Sequence, residues 1–423
     1  MAAAKAKGGG FLRSPLTIPM LCIWIGVWLA TRGLMVIQIG FWSDLGSNFQ
    51  DVEFYKNWAN TLAEFHQMPD EESWQYPPGA AFLLLIPRLG SLFGADYQPS
   101  FVVLMLLVDL LGLLVMALLA RRSGRTVGVW VWLLAVPLLQ ANPLTRFDLA
   151  PTVLTMAALV LIHRRAAWFG ALVGAGVALK IWPMVALFGE WNRRRLMRAV
   201  IAAAGVIALT FLVAAIFFGD QSGFFSNQDV RGLQKEAVAG IPWYLQWTTT
   251  AREPEVVLRS GSAELGGGTA EAVAVLLKWL GLLVLIAAAL WWVMRERAIR
   301  RGRTDLADAA VSRDFVFTIV LLQIVVSRVL SPQFMIWVIG LAAVVLGAER
   351  TNLARPAWIA LGAVALTTGI YIAPVNMAIR NLALIVAAVD ATLTMVRLLR
   401  APAKEPVQAP PHEPVAGVAR TPG

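Results

Sequence analysis

The sequence has little cysteine and little histidine. Cys22 is its single cysteine, which excludes an intramolecular disulfide framework and a cysteine-ligated metal site. The three histidines, His66, His163 and His412, are far apart in the chain and do not have the spacing of metal ligands. We therefore expect that the protein works without a metal ion or any other cofactor.

Charged residues are also scarce, at 15% of the 423 residues, whereas hydrophobic residues make up 58%. The mean hydropathy is +0.67. Repeated apolar stretches are long enough to cross a bilayer, which takes about 20 residues each. The sequence therefore predicts an all-α integral membrane protein. Its net charge of +10 lies in short clusters between apolar stretches, so it indicates orientation and not a nucleic-acid partner.

Basic clusters recur after alternate apolar stretches, and such clusters are typical of cytoplasmic loops. They lie at residues 121–125, 164–165, 193–198 and 295–303. This alternation predicts a bundle of about 11–12 transmembrane helices within residues 17–400, with both termini in the cytoplasm.

The segments outside the helices fall into two groups. Residues 41–76 and 219–269 are predicted to be long external loops, the first containing helices that lie in the membrane interface. Residues 1–16 are predicted to be a short cytoplasmic segment, and residues 401–423 a disordered Pro-rich cytoplasmic tail, because the tail lacks enough apolar residues to fold.

Two stretches leave the exact number of helices open. Residues 78–93 are short and contain Pro87 and Arg88, which favours a re-entrant or interfacial segment. Residues 169–191 contain Lys180 shortly before Pro183, which favours two half-helices that turn at the lysine. If both stretches span instead, the count is about 12 and the termini stay inside.

The first external loop contains a helical pattern with an acidic residue at its start. Tyr55, Trp58, Leu62 and Phe65 recur every three or four residues, so they form one face of a helix. An aromatic face of this kind is typical of a helix that lies in the membrane interface, with its rings at the headgroup level. Asp51 begins this helix and is a candidate catalytic residue.

Two alternatives for this carboxylate stay open at the level of sequence. Aspartate is a favoured N-cap residue, so Asp51 could serve only to begin the helix. Asp44 lies close by in the same loop and is a rival candidate for the catalytic role.

Charged residues also occur within or beside apolar stretches, where they face a cavity or pair with one another. The sequence places Arg146 with Asp148, Lys180 at the break just described, and Arg328 ahead of Gln333. Lys180 could pair with Asp148 or reach towards the membrane surface. The functional alternative is that these cations bind a lipid phosphate, since arginine binds phosphate through two hydrogen bonds and lysine as a point charge.

Other polar residues have a structural and a functional interpretation. Tyr76 precedes two prolines and could form a rigid turn or contribute to a site. Arg231 and Glu236 in the second external loop could bind substrate or could be a solvated patch. Asp109 and Asp390 lie within apolar helices, where we expect them to form hydrogen bonds between helices and not to contact substrate.

These motifs, in this order, resemble the GT-C superfamily of membrane glycosyltransferases, and specifically glycosyltransferase family 87. The resemblance spans most of residues 17–395. It rests on Asp51 with Tyr55 and Trp58, Tyr76-Pro77-Pro78, Arg146-Phe147-Asp148, Leu179-Lys180 with Pro183, Arg231-Gly232-Leu233-Gln234 with Glu236, and Ser331-Pro332-Gln333.

The resemblance implies a GT-C-type helical bundle and an inverting sugar transfer. The expected donor is a polyprenyl-phosphate sugar, with mannose as the sugar, as in the enzymes that build phosphatidylinositol mannosides. The expected acceptor is a glycolipid or a cell-envelope glycan, at an active site on the extracytoplasmic side of the plasma membrane. Asp51 matches the family's catalytic aspartate. The residues expected to bind substrate are Tyr55, Tyr76, Arg146, Asp148, Lys180, Arg231, Glu236, Arg328 and Gln333.

General chemistry agrees with such a reaction. One carboxylate can act as general base on an acceptor hydroxyl, while fixed cations stabilise the departing phosphate. A single displacement inverts the anomeric centre. Two other functions remain possible at this level, a lipid or glycan transporter or flippase, and a non-catalytic subunit that binds a polyprenyl lipid. The long aromatic first external loop favours the enzyme over the transporter, whose site would centre on broken helices at the membrane midplane.

Overall fold

The computed structural model describes residues 17–42, 49–71, 73–221, 224, 231–250, 253–259, 262–368 and 374–402. The predicted N-terminal segment, Asp44 and residues 403–423 of the predicted tail lie outside these ranges.

Nearly all regular structure in the described residues is helical. In the first half of the chain the helices are α1 (Ile18–Trp42), α2 (Gln50–Glu64), α3 (Gly79–Leu85), α4 (Tyr97–Ser123), α5 (Val127–Ala135), α6 (Asn142–Thr145), α7 (Leu149–Leu161), α8 (Ala166–Leu179) and α9 (Arg193–Phe218). In the second half they are α10 (Ile241–Thr250), α11 (Gly268–Arg300), α12 (Ala309–Val325), α13 (Met335–Gly347), α14 (Ala354–Thr367) and α15 (Pro374–Arg400). The 3-10 helices are Ile86–Phe93, Val136–Leu139, Trp182–Gly189, Val238–Gly240, Thr304–Ala307 and Pro332–Phe334.

The helices confirm the predicted all-α membrane fold. In the described residues, five helices, α1, α4, α9, α11 and α15, are long and apolar enough to cross a membrane, and six shorter helical segments are also apolar. The long helices expose large aliphatic side chains on their outer surfaces, such as Ile216 at 70% and Leu290 at 60%. In contrast, every residue of α13 is buried. The core therefore centres on α13, which packs against α4, α5, α7, α12 and α14.

Helices α8 and α9 pack with their backbones in direct contact. A Cβ atom added to Gly170 would lie 2.0 Å from the carbonyl oxygen of Ala199, and one added to Gly174 would lie 2.6 Å from that of Ala203. Small residues at such a crossing allow close approach of helices in a membrane. This contact fixes α8 firmly to its neighbour.

The chain turns back on itself at Lys180, as the sequence predicts. Lys180 has extended backbone angles, φ −153° and ψ 143°, and it follows the last residue of α8. The 3-10 helix Trp182–Gly189 then returns beside α8, so that the carbonyl oxygen of Gly189 lies 3.4 Å from His163 Nε2, just before α8 begins. Residues 166–189 thus form a hairpin, the re-entrant hairpin, with Lys180 at its tip.

Residues 78–93 are also interrupted. The seven-residue helix α3 continues directly into the 3-10 helix Ile86–Phe93, in which Pro87 occupies the first turn. Proline lacks the N–H group that an α-helix would need at that point. The change of helix type at Pro87 is a structural observation, and the re-entrant or interfacial position of this segment stays a prediction.

The two acidic residues within apolar helices pair with arginines on other helices. Asp109 of α4 accepts two hydrogen bonds from Arg32 of α1, at 2.8 and 3.0 Å, and a third from the indole of Trp28. Asp390 of α15 forms an ion pair with Arg355 of α14. The prediction that these aspartates connect helices is confirmed.

The second long loop contains a β-hairpin that sequence analysis did not predict. Strands β1 (Val256–Arg259) and β2 (Ser262–Leu265) are antiparallel, with Val256 opposite Leu265 and Arg259 opposite Ser262. An isolated bridge also pairs Gln234 with Glu264. This hairpin therefore brings the middle of the second loop next to the Arg231 motif.

Candidate active site

Asp51 is not the N-cap of helix α2. The N-cap position is occupied by Phe49, without a side-chain capping bond, and Asp51 lies in the first turn. The Asp51 carboxylate instead forms an ion pair with the guanidinium of Arg146, which follows helix α6. This pairing joins the first long loop to the Arg146-Phe147-Asp148 motif, and 31% of the Asp51 side chain remains exposed.

The aromatic face of α2 packs inside the protein, and the prediction that its rings lie at the lipid headgroups is wrong. Tyr55 packs between Phe101 and Phe147, whose ring centroids lie 5.4 and 5.5 Å from its own. Trp58 is likewise buried against the indole of Trp74. Helical periodicity identifies an apolar face but not the surface that covers it. Of the predicted face, only the end at Phe65 is exposed.

Two tyrosine hydroxyls lie near the charged motifs. Burial, reinforced by the charges of nearby Asp51 and Asp148, raises the pKa of both Tyr55 and Tyr76 above the usual value for tyrosine. Both hydroxyls therefore stay protonated at neutral pH and can donate a hydrogen bond. The Tyr76 ring also contacts Phe147, at a centroid distance of 4.8 Å.

Lys180 pairs with Asp148, which was one of the two alternatives from the sequence. Its ammonium nitrogen lies 2.7 and 2.8 Å from the two carboxylate oxygens of Asp148, and the indole of Trp337 donates to the same carboxylate at 3.0 Å. The ammonium also lies 5.2–5.9 Å from four aromatic ring centroids. Cation–π contacts and the carboxylate thus hold the cation at the tip of the re-entrant hairpin.

Lys180 also faces a cavity of about 500 Å³, which we call the central cavity. Two further cations, Arg231 and Arg328, line it. The other described residues lining it are Gln75, Tyr76, Pro77, Ile181, Trp182, Met184, Val185, Leu285, Val320, Gln323, Ile324, Ser327, Val329, Ser331, Gln333, Phe334 and Trp337.

The central cavity combines three cations with an apolar wall. No carboxylate occurs among the described residues that line it. Such a lining favours an anion, because the cations attract it and no carboxylate in the lining repels it. The apolar wall comes from the re-entrant hairpin and from α11 and α12, through residues such as Met184, Leu285 and Ile324. The arrangement suits a ligand with an anionic group attached to a hydrocarbon chain.

The structure gathers most of the predicted binding residues but not all of them. Tyr76, Lys180, Arg231, Arg328 and Gln333 line the central cavity. The other predicted residues, Asp51, Tyr55, Arg146 and Asp148, lie next to it, connected by the Lys180 pair and the aromatic contacts around Tyr76.

Glu236 does not line the central cavity. Its side chain is buried, and burial raises the pKa of its carboxyl group. Its backbone carbonyl accepts a hydrogen bond from Arg380 of α15 at 2.6 Å. Local sequence placed Glu236 with Arg231 because they share one motif, but the chain turns between them. We therefore assign this segment of the motif to contacts with α15.

Sequence analysis missed two residues that hold Arg231. The Arg231 guanidinium donates to the side-chain oxygen of Gln75 and, at 3.2 Å, to Ser262 Oγ. Gln75 lies 156 residues away in the chain. No local pattern could connect them, although Gln75 directly precedes the Tyr76-Pro77-Pro78 motif.

The described residues contain no group of three or more histidine, cysteine, aspartate or glutamate side chains that could hold a metal ion.

Comparison with known proteins gives one match. The profile of glycosyltransferase family 87 matches residues 74–322, which is more than half of the chain. The matched region includes Tyr76, Arg146, Asp148, Lys180 and Arg231, and it begins after Asp51. No curated protein and no solved structure matches the chain.

Proposed function

Because the chain belongs to glycosyltransferase family 87, we propose that it transfers a sugar from a polyprenyl-phosphate donor to a glycolipid or cell-envelope glycan, with inversion at the anomeric carbon. We further propose that the sugar is mannose and that the active site faces the extracytoplasmic side of the plasma membrane. Family membership supports the transfer of a sugar. The central cavity supports the choice of donor.

The lining of the central cavity is the observation that carries this proposal. Lys180, Arg231 and Arg328 surround a space with no carboxylate among its described lining residues. A polyprenyl phosphate offers an anion to these cations and a hydrocarbon chain to the apolar wall. Cations fixed in a site of low dielectric stabilise a developing phosphate charge much more strongly than water does. The same groups therefore bind the donor and assist departure of its phosphate.

Asp51 is the proposed general base. Its carboxylate takes the proton of an acceptor hydroxyl, the acceptor oxygen bonds to the anomeric carbon, and the bond between that carbon and the phosphate oxygen breaks. Polyprenyl phosphate leaves with the bonding electrons. The ion pair with Arg146 orients the carboxylate, and the exposed fraction of Asp51 leaves room for an acceptor. One displacement of this kind gives inversion.

Three cationic side chains can stabilise the leaving phosphate without a metal ion. We therefore propose that the reaction needs no metal or other cofactor. Retention of activity in a chelator such as EDTA is the expected result, and full loss that is restored by a divalent cation would contradict it.

The direct test of the proposed function is transfer by the purified protein. The protein is incubated with synthetic polyprenyl-phosphate mannose, other polyprenyl-phosphate sugars or nucleotide sugars, together with a membrane-lipid extract, and the products are identified by mass spectrometry. We expect a new glycosylated product from a polyprenyl-phosphate sugar only, with the opposite anomeric configuration to the donor. Transfer from a nucleotide sugar would overturn the choice of donor. Donor binding without any product would favour the transporter or the non-catalytic subunit.

The role of Asp51 is tested by Asp51→Asn, which keeps the size of the side chain and removes its basicity. We expect a folded protein whose turnover falls by roughly 10²–10⁴-fold, the usual contribution of acid–base catalysis. Glu53→Gln is the matched control, because Glu53 lies in the same helical turn but pairs with Lys56. Asp44→Asn tests the rival carboxylate. Normal transfer by Asp51→Asn with loss in Asp44→Asn would move the role to Asp44.

A further inference from the structure

The second external loop carries a buried carboxylate behind the cations of the central cavity. Glu264 lies in strand β2, is only 4% exposed, and does not line the cavity. No role in substrate binding has been assigned to Glu264 itself above. Its contacts therefore call for a separate explanation.

Strand β2 pairs on both sides. Besides strand β1, it bonds to the segment that follows Arg231, through Leu265 N to Leu233 O at 2.8 Å and Lys235 N to Ala263 O at 3.0 Å. This pairing places Glu264 opposite Gln234. The hairpin thus holds the backbone that carries Arg231 at a fixed register.

The Glu264 carboxylate fixes the residue next to Arg231. Its Oε2 accepts a hydrogen bond from the backbone N–H of Gly232 at 3.1 Å, and a Cβ atom on Gly232 would lie 2.7 Å from the same oxygen. Its Oε1 lies 3.4 Å from Ser262 Oγ, which in turn accepts from the Arg231 guanidinium at 3.2 Å. Glu264 therefore supports Arg231 from both the backbone and the side-chain end.

The same segment also holds the second arginine of the cavity. The backbone N–H of Gln234 donates to the carbonyl of Arg328 at 2.8 Å, and its side-chain amide donates to Ser331 Oγ at 2.9 Å. Both arginine backbones are thus connected to β2 through residues 232–234. Groups whose orientation is set before binding lose less freedom when the ligand arrives.

We propose that Glu264 is a positioning residue that orients Arg231 towards the donor phosphate through Gly232 and Ser262. This inference rests on the proposed function and assigns a role to the β-hairpin, which sequence analysis did not predict. Because the carboxylate accepts hydrogen bonds behind the cavity, it supports the arginine without competing for the phosphate.

Two measurements test the proposal. The first is the steady-state rate of sugar transfer, and the second is equilibrium binding of polyprenyl phosphate that carries no sugar. Glu264→Ala should raise the donor KM and weaken polyprenyl phosphate binding by about 10–100-fold, the effect of losing hydrogen bonds to a charged group. The acceptor KM should stay within about twofold, well below that effect. Glu264→Gln keeps an oxygen that can accept from Gly232, so it should retain most of the donor affinity. Glu255→Ala removes an exposed carboxylate of the same loop and is the matched control.

A double-mutant cycle shows whether Glu264 acts by positioning Arg231 or only by stabilising the β-hairpin. If Glu264 acts through Arg231, Glu264→Ala should add little to the donor KM of Arg231→Ala. If Glu264→Ala raises the donor KM by the same factor in the wild type and in Arg231→Ala, the proposal is wrong. Unchanged donor binding in Glu264→Ala would also overturn it. If Glu264→Ala does not fold, Ser262→Ala takes its place and must also weaken donor binding, and normal binding by Ser262→Ala would overturn it too. Failure of the wild-type protein to bind polyprenyl phosphate would overturn the proposed function and this inference together.

Discussion

Lys180 forms an ion pair with Asp148 and also lines the central cavity. Two substitutions can separate its contribution to stability from its proposed contribution to donor binding. Lys180→Met removes the cation and keeps a side chain of similar length. It leaves the Asp148 carboxylate, 1% exposed, with the indole of Trp337 still donating to it. Removal of one member of a buried ion pair usually costs about 3–5 kcal/mol in the free energy of unfolding. Lys180→Met should therefore lower the thermal stability of the purified protein clearly.

The second substitution, Asp148→Asn, removes the buried carboxylate charge that Lys180→Met leaves unpaired. In the Lys180→Met, Asp148→Asn protein neither buried group is charged, and stability should return to within about 1–2 kcal/mol of the wild type. Donor binding should not return. Loss of one charge-assisted hydrogen bond to a phosphate costs about 1.5–3 kcal/mol, or roughly 10–150-fold in affinity. Thermal unfolding in detergent and equilibrium binding of polyprenyl phosphate measure the two quantities separately.

A second buried ion pair supplies the control. Arg32 and Asp109 also pair within the membrane domain, but neither lines the central cavity. Asp109→Asn should lower stability and leave donor affinity unchanged in the protein that remains folded. If the Lys180 and Asp148 double variant regains both stability and normal donor affinity, Lys180 has only a structural role and the proposed phosphate contact is wrong.

Two further predictions concern orientation and pH. In a Cys22→Ala background, an impermeant thiol reagent applied to intact cells should label cysteines placed at Asn60 and Ser262 but not at Arg301, and the reverse pattern would invert the predicted topology. Burial lowers the pKa of His163 to about 4, so the folded protein keeps this residue neutral whereas the unfolded chain protonates it near pH 6.5. Stability should therefore fall as the pH drops from about 6.5 to about 4, by about 3 kcal/mol for this residue. His163→Gln should remove that part of the decline in thermal stability, and identical pH profiles for the two proteins would contradict the assignment.

The sequence predicts features that depend on local composition or on a short pattern. The apolar stretches indicate the spanning helices, and Lys180 followed by Pro183 indicates the break, because a proline cannot continue the hydrogen bonding of α8. The pairing of Asp109 and Asp390 could also be predicted from the sequence, because both lie within apolar helices. A buried charge has to find a partner, so pairing of Asp109 and Asp390 was expectable although their arginines were not.

The remaining features depend on contacts between distant parts of the chain. Periodicity shows that Tyr55 and Trp58 share a face, but only the fold shows that Phe101, Phe147 and Trp74 cover it. The contacts of Arg231 with Gln75 and Ser262 likewise require the second loop to return over the first. The position of Glu236 against α15, away from the lining of the central cavity, likewise depends on a turn of the chain that its motif does not predict.

The length of the re-entrant hairpin limits how far its tip, at Lys180, can reach across a bilayer. Helix α8 has 14 residues and rises roughly 21 Å, whereas the hydrocarbon layer is about 30 Å thick. Arg164 and Arg165 precede it, which indicates that the hairpin starts at one membrane surface. With that predicted start, the tip would stop about 9 Å short of the opposite surface.

This depth has a consequence for solvent. On the function proposed above, a phosphate that meets Lys180 would lie within one leaflet, below the plane of the surrounding headgroups, where bulk water is scarce. Water that reached an activated sugar would hydrolyse it, so burial of the reacting carbon favours transfer to the acceptor over wasteful hydrolysis. On the same proposal, the spent lipid would leave sideways into that leaflet, and its chain would not cross an aqueous space.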